Sequence, residues 1–325
     1  KLVFTGSGAL NVKAITDTGA TINVYDASAS TGNITVTGDN TASNTITGGA
    51  GNDSLGGAAG NDVITGGTGN DQITGGAGND TYSFTAVTDA AVGESIVEAA
   101  AGGTDIVNID ASVDFTNMAA SSFDEIETID IADSLTTTVL GTQLTGETIE
   151  LETAAAGTAT NLVVNAAFGG TVDLSGITAT ANWVAGEDTI TINGLGGDET
   201  ITGTAENDTN NLGAGADTVN VAFGGAGVDT ITGFTGGTDV FNFTGTIDVV
   251  NTGGNLDVDG FVVLDGSGAA SIIDGLTVLD NGVATVADLG SMDATGLAAV
   301  LADSDLTGGA GVAFTFDDEG DVFYI

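Results

Sequence analysis

Short segments in which Thr, Asn or Asp alternates with Val or Ile recur along most of the chain. They read TINVYD (21–26), NITVTG (33–38), NTITGG (44–49), TDIVNID (104–110), IETIDIA (126–132), TIELET (148–153), NLVVNAA (161–167) and DTITING (188–194). Each sets apolar residues two apart and is bounded by Gly, Asn or Asp, the period-two signature of a short strand with one buried face. The pattern predicts an all-β protein. Helical spacing is confined to 292–302, with Leu297, Val300 and Leu301 on one face, and to a weaker stretch near 117–125.

Within this texture lies an exact repeat. From Gly48 four nonapeptides follow without a gap: GGAGNDSLG, GAAGNDVIT, GGTGNDQIT and GGAGNDTYS. The sixth position is always Asp (Asp53, Asp62, Asp71, Asp80) and the fifth always Asn (Asn52, Asn61, Asn70, Asn79). The eighth is always large and apolar (Leu55, Ile64, Ile73, Tyr82). A looser array runs from about 194 to 243, with Asp208, Asp217, Asp229 and Asp239 in register, Asp198 one place out, and Asn210 in an apolar slot. Three extra residues, 221–223, are expected to interrupt its stacking.

Nine residues suit one strand and one turn. If two nonapeptides complete a coil, residues 18 apart stack, Asp53 over Asp71 and Asp62 over Asp80, about 4.8 Å apart. Bare carboxylates at that spacing repel by about 0.9 kcal/mol in water and about 3.5 kcal/mol at an effective dielectric near 20. A hard divalent cation between coils turns that repulsion into coordination. An all-oxygen set of Asp carboxylates and backbone carbonyls, with Asn nearby, suits Ca²⁺ better than Zn²⁺ or Cu²⁺, and Mg²⁺ sheds water too reluctantly.

Composition narrows the function. The 325 residues include 53 Gly but no Pro, Cys or His, and only two basic residues, Lys1 and Lys13, against 45 acids, a formal charge of −43. Without His there is no Ser-His-Asp nucleophile and no HExxH zinc site; without Cys, no disulfide or thiolate site. Two cations at one end give no nucleic-acid surface. Such a charge often marks disorder, but 41% of the residues are hydrophobic, enough for a core. No run of 18 apolar residues suggests a transmembrane helix, so membrane insertion is not expected. The start at Lys1, with neither Met nor a charged-then-apolar leader, reads as a processed product or fragment.

The nonapeptides resemble the RTX family, whose GGxGxDxUx repeats form a calcium-bound parallel β-roll. That resemblance implies Asp53, Asp62, Asp71 and Asp80 as side-chain ligands, accompanied by Asn52, Asn61, Asn70 and Asn79. Backbone groups near Gly49, Gly51, Gly60, Gly67, Gly69, Gly76 and Gly78 would complete the shells. Ala58, followed by Ala59, departs from the pattern in the second nonapeptide. In the second array the implied ligands are Asp208, Asp217 and Asp229. The flanking NVYDASASTGNITVTGDNTASNTITGGAGND and FDEIETIDI resemble bacterial surface-layer proteins of the Caulobacter and Campylobacter type, and ESIVEAAAGGTDIV resembles a common RTX spacer. RTX proteins typically leave the cell by type I secretion, and FTFDDEGDVFYI (314–325) resembles the uncleaved C-terminal signal used there.

The expectation is a β-solenoid lead-in over 1–47, a calcium β-roll over 48–83, a β-rich middle over 84–187, a second irregular roll over 188–243, and a C-terminal β domain with a helix over 244–325. The expected function is that of a secreted, calcium-dependent structural protein, not an enzyme. It would assemble with copies of itself into a surface lattice or filament, with a cell-surface polysaccharide as a further partner. Acid pairs such as Asp124 with Glu125 and Glu127, or Asp317 with Asp318, arise by abundance. The rival is an RTX adhesin, for which exposed aromatics would speak. Trp183 is the single Trp, and Tyr25, Tyr82 and Tyr324 are scattered; Phe223, Phe234, Phe241 and Phe243 cluster where the second array ends, as a cap on its core.

Overall fold

The computed structural model describes residues 1–244 except 13–15, 18, 19, 22, 39–41, 99–101, 155–158, 181, 185, 186, 223–228, 236 and 237, together with 261–264, 269–273, 313–316 and 321–324. The chain divides into two compact units, one of 1–165 with 173–190 and one of 166–172 with 191–325.

The first unit is a parallel β-solenoid. Its larger sheet orders nine strands: Leu2–Gly6, Val24–Ser30, Thr45–Thr47, Val63–Thr65, Thr81–Phe84, Ile106–Ile109, Thr128–Ile131, Ile149–Thr153 and Ile177–Ala179. A second sheet of five strands holds Leu10–Val12, Ile34–Thr37, Ser54–Ala59, Gln72–Ala77 and Ser95–Ile96. Successive nonapeptide strands alternate between the two sheets, so one coil takes two nonapeptides. Leu55 therefore pairs with Ile73, and Ile64 with Tyr82.

The apolar eighth position becomes a continuous column on each sheet. On one, Tyr25, Ile46, Ile64, Tyr82, Val107, Ile129 and Leu151 stand in register and are all buried. On the other, Val36, Leu55, Ile73 and Ile96 do the same. Each such side chain contributes about 1.5–3 kcal/mol by burial. Because every residue in a column has its equivalent above and below, no single coil can bury its own face, and stability is shared between neighbours.

Beyond the nonapeptides the coil is widened by an aromatic cluster. Phe115 sits edge-on to Phe84 (4.8 Å between centroids) and to Phe123 (5.5 Å). The weak helical pattern near 117–125 appears as one 3₁₀ turn, Ala120–Phe123, which delivers Phe123 to that cluster. A further single helical turn, Gly141–Leu144, follows.

In the second unit Thr200–Thr202, Thr218–Ala222 and Val240–Thr244 pair in parallel, as do Asp208–Asn211 and Thr230–Thr232. The extra residues do not interrupt the stack, contrary to the sequence expectation. Thr200 pairs with Thr218, while Thr209 pairs with Thr230, three residues further on, and Val221 and Ala222 of the insertion continue the strand Thr218–Ala222, paired with Phe243 and Thr244, so the ladder is kept. Ala269–Ile273 and Phe261–Leu264 add antiparallel strands, and Ala313–Phe316 pairs with Asp321–Tyr324 as a hairpin. The helix expected at 292–302 lies outside the described residues, as do Lys13, Phe223, Asp317 and Asp318. No described helix is long and apolar enough to cross a membrane.

Candidate metal centre

Every nonapeptide turns on Asn-Asp, and the two side chains do opposite things. Each Asp reaches back to the coil before it and accepts. The backbone N–H of Asp53 donates to Asp71 Oδ1 (2.8 Å), and that of Asp62 to Asp80 Oδ1 (2.7 Å). Each Asn reaches forward from the coil before and accepts. The N–H of Asn70 donates to Asn52 Oδ1 and that of Asn79 to Asn61 Oδ1, both at 3.1 Å. Asn52, Asn61, Asn70 and Asn79 are exposed, whereas Asp53, Asp62, Asp71 and Asp80 are buried. Adjacent residues thus clamp the coil on either side.

The glycines make room for this. A Cβ on Gly69, which has φ +134°, would meet the Gly51 carbonyl oxygen at 2.0 Å; one on Gly67 would meet that of Gly49 at 2.2 Å. On the opposite edge, Gly76 and Gly78 stand in the same way over the carbonyls of Ala58 and Gly60. Backbone carbonyls therefore stack in files beside the carboxylates. Gly49 also donates its N–H to Asp53 Oδ2 (2.9 Å), closing its own turn.

The second carboxylate oxygens are exceptional. Oδ2 of Asp62, Asp71, Asp80 and Asp217 is buried with no hydrogen-bond partner. Buried charge without a partner is costly, and burial pushes the Asp71 and Asp80 carboxyls up to about 6. It raises those of Asp62 and Asp217 as well. Among the described residues no three Asp or Glu side chains converge on a metal position. A cation shell here must therefore combine one or two carboxylates with carbonyl oxygens, and those are the groups the turns provide. An orphaned anionic oxygen beside stacked carbonyls fits a hard, oxygen-seeking ion. When bound, such an ion supplies the positive charge that these turns otherwise lack.

The acidic files extend past the nonapeptides, which sequence reasoning missed. Asp80 N–H donates to Asp105 Oδ1 (2.7 Å), and Asp105 N–H to Glu127 Oε2 (2.6 Å). Thr160 N–H donates to Asp188 Oδ1 (2.8 Å). In the second unit, Asp208 N–H reaches Asp229 Oδ1 (3.0 Å), and Glu199, Asp217 and Asp239 form the other file. Glu199, not the exposed Asp198, holds the register position. Burial lifts Asp208 to about 7 and Asp229 to about 6. Of the acids grouped as a chance pair, Glu127 joins a file, while Asp124 and Glu125 stay exposed. The legible signal was an acid, any residue, then a large apolar one: Glu94-Ser95-Ile96, Asp105-Ile106-Val107, Glu127-Thr128-Ile129, Asp188-Thr189-Ile190 and Glu199-Thr200-Ile201.

The model of the RTX calcium-binding nonapeptide repeat matches residues 39–64, 56–86 and 193–222. No curated protein and no solved structure matches the chain. The matched residues coincide with the turns just described, one block in each unit. The chain carries RTX calcium-binding nonapeptide repeats, and the ion that its acidic turns serve is Ca²⁺.

Proposed function

We propose that this is a secreted, non-catalytic structural protein that assembles with further copies of itself, in the presence of Ca²⁺, into a surface layer or related extracellular polymer. RTX repeat proteins are typically secreted. The observation that carries the reading is the exposed apolar segment of the first unit, where Val87 is 66% and Val92 73% exposed. Large apolar side chains left in water on one segment suit contact with another copy of the chain.

The charge supplies the switch. At calcium concentrations about 100-fold above Kd, each independent site adds about 2.7 kcal/mol of stability, and extracellular calcium modules have Kd values of about 10⁻⁴–10⁻³ M. Low cytosolic calcium leaves the acidic files uncompensated; the exterior neutralises them. Export unfolded and folding outside follow.

A second reading, an adhesin that binds a cell-surface polysaccharide, is favoured by Phe168, which is 76% exposed. Against it, Trp183, Tyr25 and Tyr82 are buried. Electron microscopy of the purified chain with and without calcium separates the two. Ordered sheets or filaments that dissolve in chelator support assembly; dispersed particles that bind glycans favour the adhesin.

A further inference from the structure

The first repeat block ends on a strand that belongs to no nonapeptide. Ser95–Ile96 pairs in parallel with Gln72 and Ile73. That register sets Glu94 beside Asp71, one coil further along the file that passes through Asp53. Glu94 is fully buried. Its Oε2 accepts the Ala91 N–H (3.0 Å), but its Oε1 is buried without a partner, and so is Asp71 Oδ2.

Both free oxygens face one point. A Cβ built on Gly66 would lie 2.6 Å from Asp71 Oδ2 and 3.2 Å from Glu94 Oε1, with the Ile73 Cδ1 methyl at 3.2 Å on the inner side. The space that a side chain would fill at Gly66 is therefore framed by two carboxylate oxygens. Like charges sharing a dry site strongly disfavour joint ionisation unless a cation lies between them. Among the described residues the ion pair present is Lys1 with Asp26, on the surface.

We propose that Glu94 and Asp71 together hold a divalent cation above the Cα of Gly66, so that the segment 94–98 closes the roll through a metal ion and not through hydrogen bonds alone. This rests on calcium binding by the repeats and is independent of the assembly reading. The site differs from those of the nonapeptides because one ligand lies outside the repeat motif. At the other end of the same segment, Glu98 provides an internal comparison. A Cβ on Gly75 would lie 2.4 Å from both Asp80 Oδ2 and Glu98 Oε1, yet that Oε1 already accepts the Gly75 N–H (3.0 Å).

The test uses the full chain with calcium as the probe. Bound calcium is counted by equilibrium dialysis, and thermal unfolding is followed with and without calcium, for wild type, Glu94→Gln and Glu98→Gln. The expected result is that Glu94→Gln binds one ion fewer, or binds one ion at least about tenfold more weakly. Its calcium-free form melts no lower than wild type, because a buried charge has gone, so its calcium-induced rise in Tm is smaller. Unchanged stoichiometry and affinity in Glu94→Gln overturns the proposal. So does a lower melting temperature of the calcium-free variant, which marks a hydrogen-bonding role, or loss of the ion in Glu98→Gln alone. Failure of the underlying calcium reading is distinguishable, since wild type itself would then bind none.

Discussion

The backbone N–H of Asp53 donates to Oδ1 of Asp71 at 2.8 Å, and through it one coil of the roll holds the next. The carboxylate is at once an interturn hydrogen-bond acceptor and, through its unpartnered Oδ2, an open anionic site. Asp71→Ala removes both. It leaves the Asp53 N–H buried and unpaired, a loss of about 1–3 kcal/mol, and it weakens calcium binding. Asp124→Ala, at an exposed position, changes stability by less than about 0.5 kcal/mol. Chemical denaturation in saturating calcium measures the difference, and equal effects of the two substitutions count against the stacked geometry.

Calcium removal has a defined reach. Chelation unfolds the 48–83 coils first, because the buried Oδ2 oxygens of Asp62, Asp71 and Asp80 are then left without any partner. Far-UV circular dichroism should lose strand signal on adding chelator and regain it on adding calcium. A spectrum indifferent to chelator would contradict metal-driven folding.

Acidity acts in the opposite direction on the calcium-free chain. Asp71, Asp80 and Asp229 titrate at about 6, Asp208 at about 7 and Glu94 at about 8 when folded, all raised chiefly by burial. The unfolded chain releases these protons near 4, so between these limits the folded state holds more protons than the unfolded one. Stability without calcium therefore falls as pH rises from about 4 to about 8. Calcium binding, which needs the ionised form, strengthens over the same range. Thermal melts at pH 5 and pH 8, each with and without calcium, should show the two trends crossing.

Ala58 occupies a left-handed conformation, φ 84°, where its stacked equivalent is Gly76 at φ 114°. An L side chain is strained there. Ala58→Gly should raise stability by about 0.5–1 kcal/mol, read as a higher denaturation midpoint at unchanged slope.

Asn210 sits in the apolar column of the second unit, paired with Ile231. It is 1% exposed, and its Oδ1 is buried without a partner. Asn210→Val should stabilise that unit by about 1–2 kcal/mol. A neutral or destabilising result would show that the amide is satisfied in solution.

Much of the solenoid was readable one residue at a time. The spacing of Asp53, Asp62, Asp71 and Asp80 gave the nine-residue unit, and the two-unit coil expected from it appears in the pairing of Leu55 with Ile73 and of Ile64 with Tyr82. Leu55, Ile64, Ile73 and Tyr82 marked the inward column by the same logic. Glu94, Asp105 and Glu127 escaped because their coils are longer. The separation of 18 between Asp53 and Asp71 grows to 25 between Asp80 and Asp105 and is 22 between Asp105 and Glu127, which hides the repeat from any fixed-period search.

The order of residues along the chain thus determined the period, the inward column, the acidic turns and the ion they serve, since all are local properties repeated at constant spacing. Only tertiary structure decided which oxygen of each carboxylate is occupied, that Asn and Asp grip opposite neighbours, and that Glu94 meets Asp71 above Gly66. Those facts depend on registers between coils, and a register is set by the strands packing together after turns of unequal length have brought them side by side.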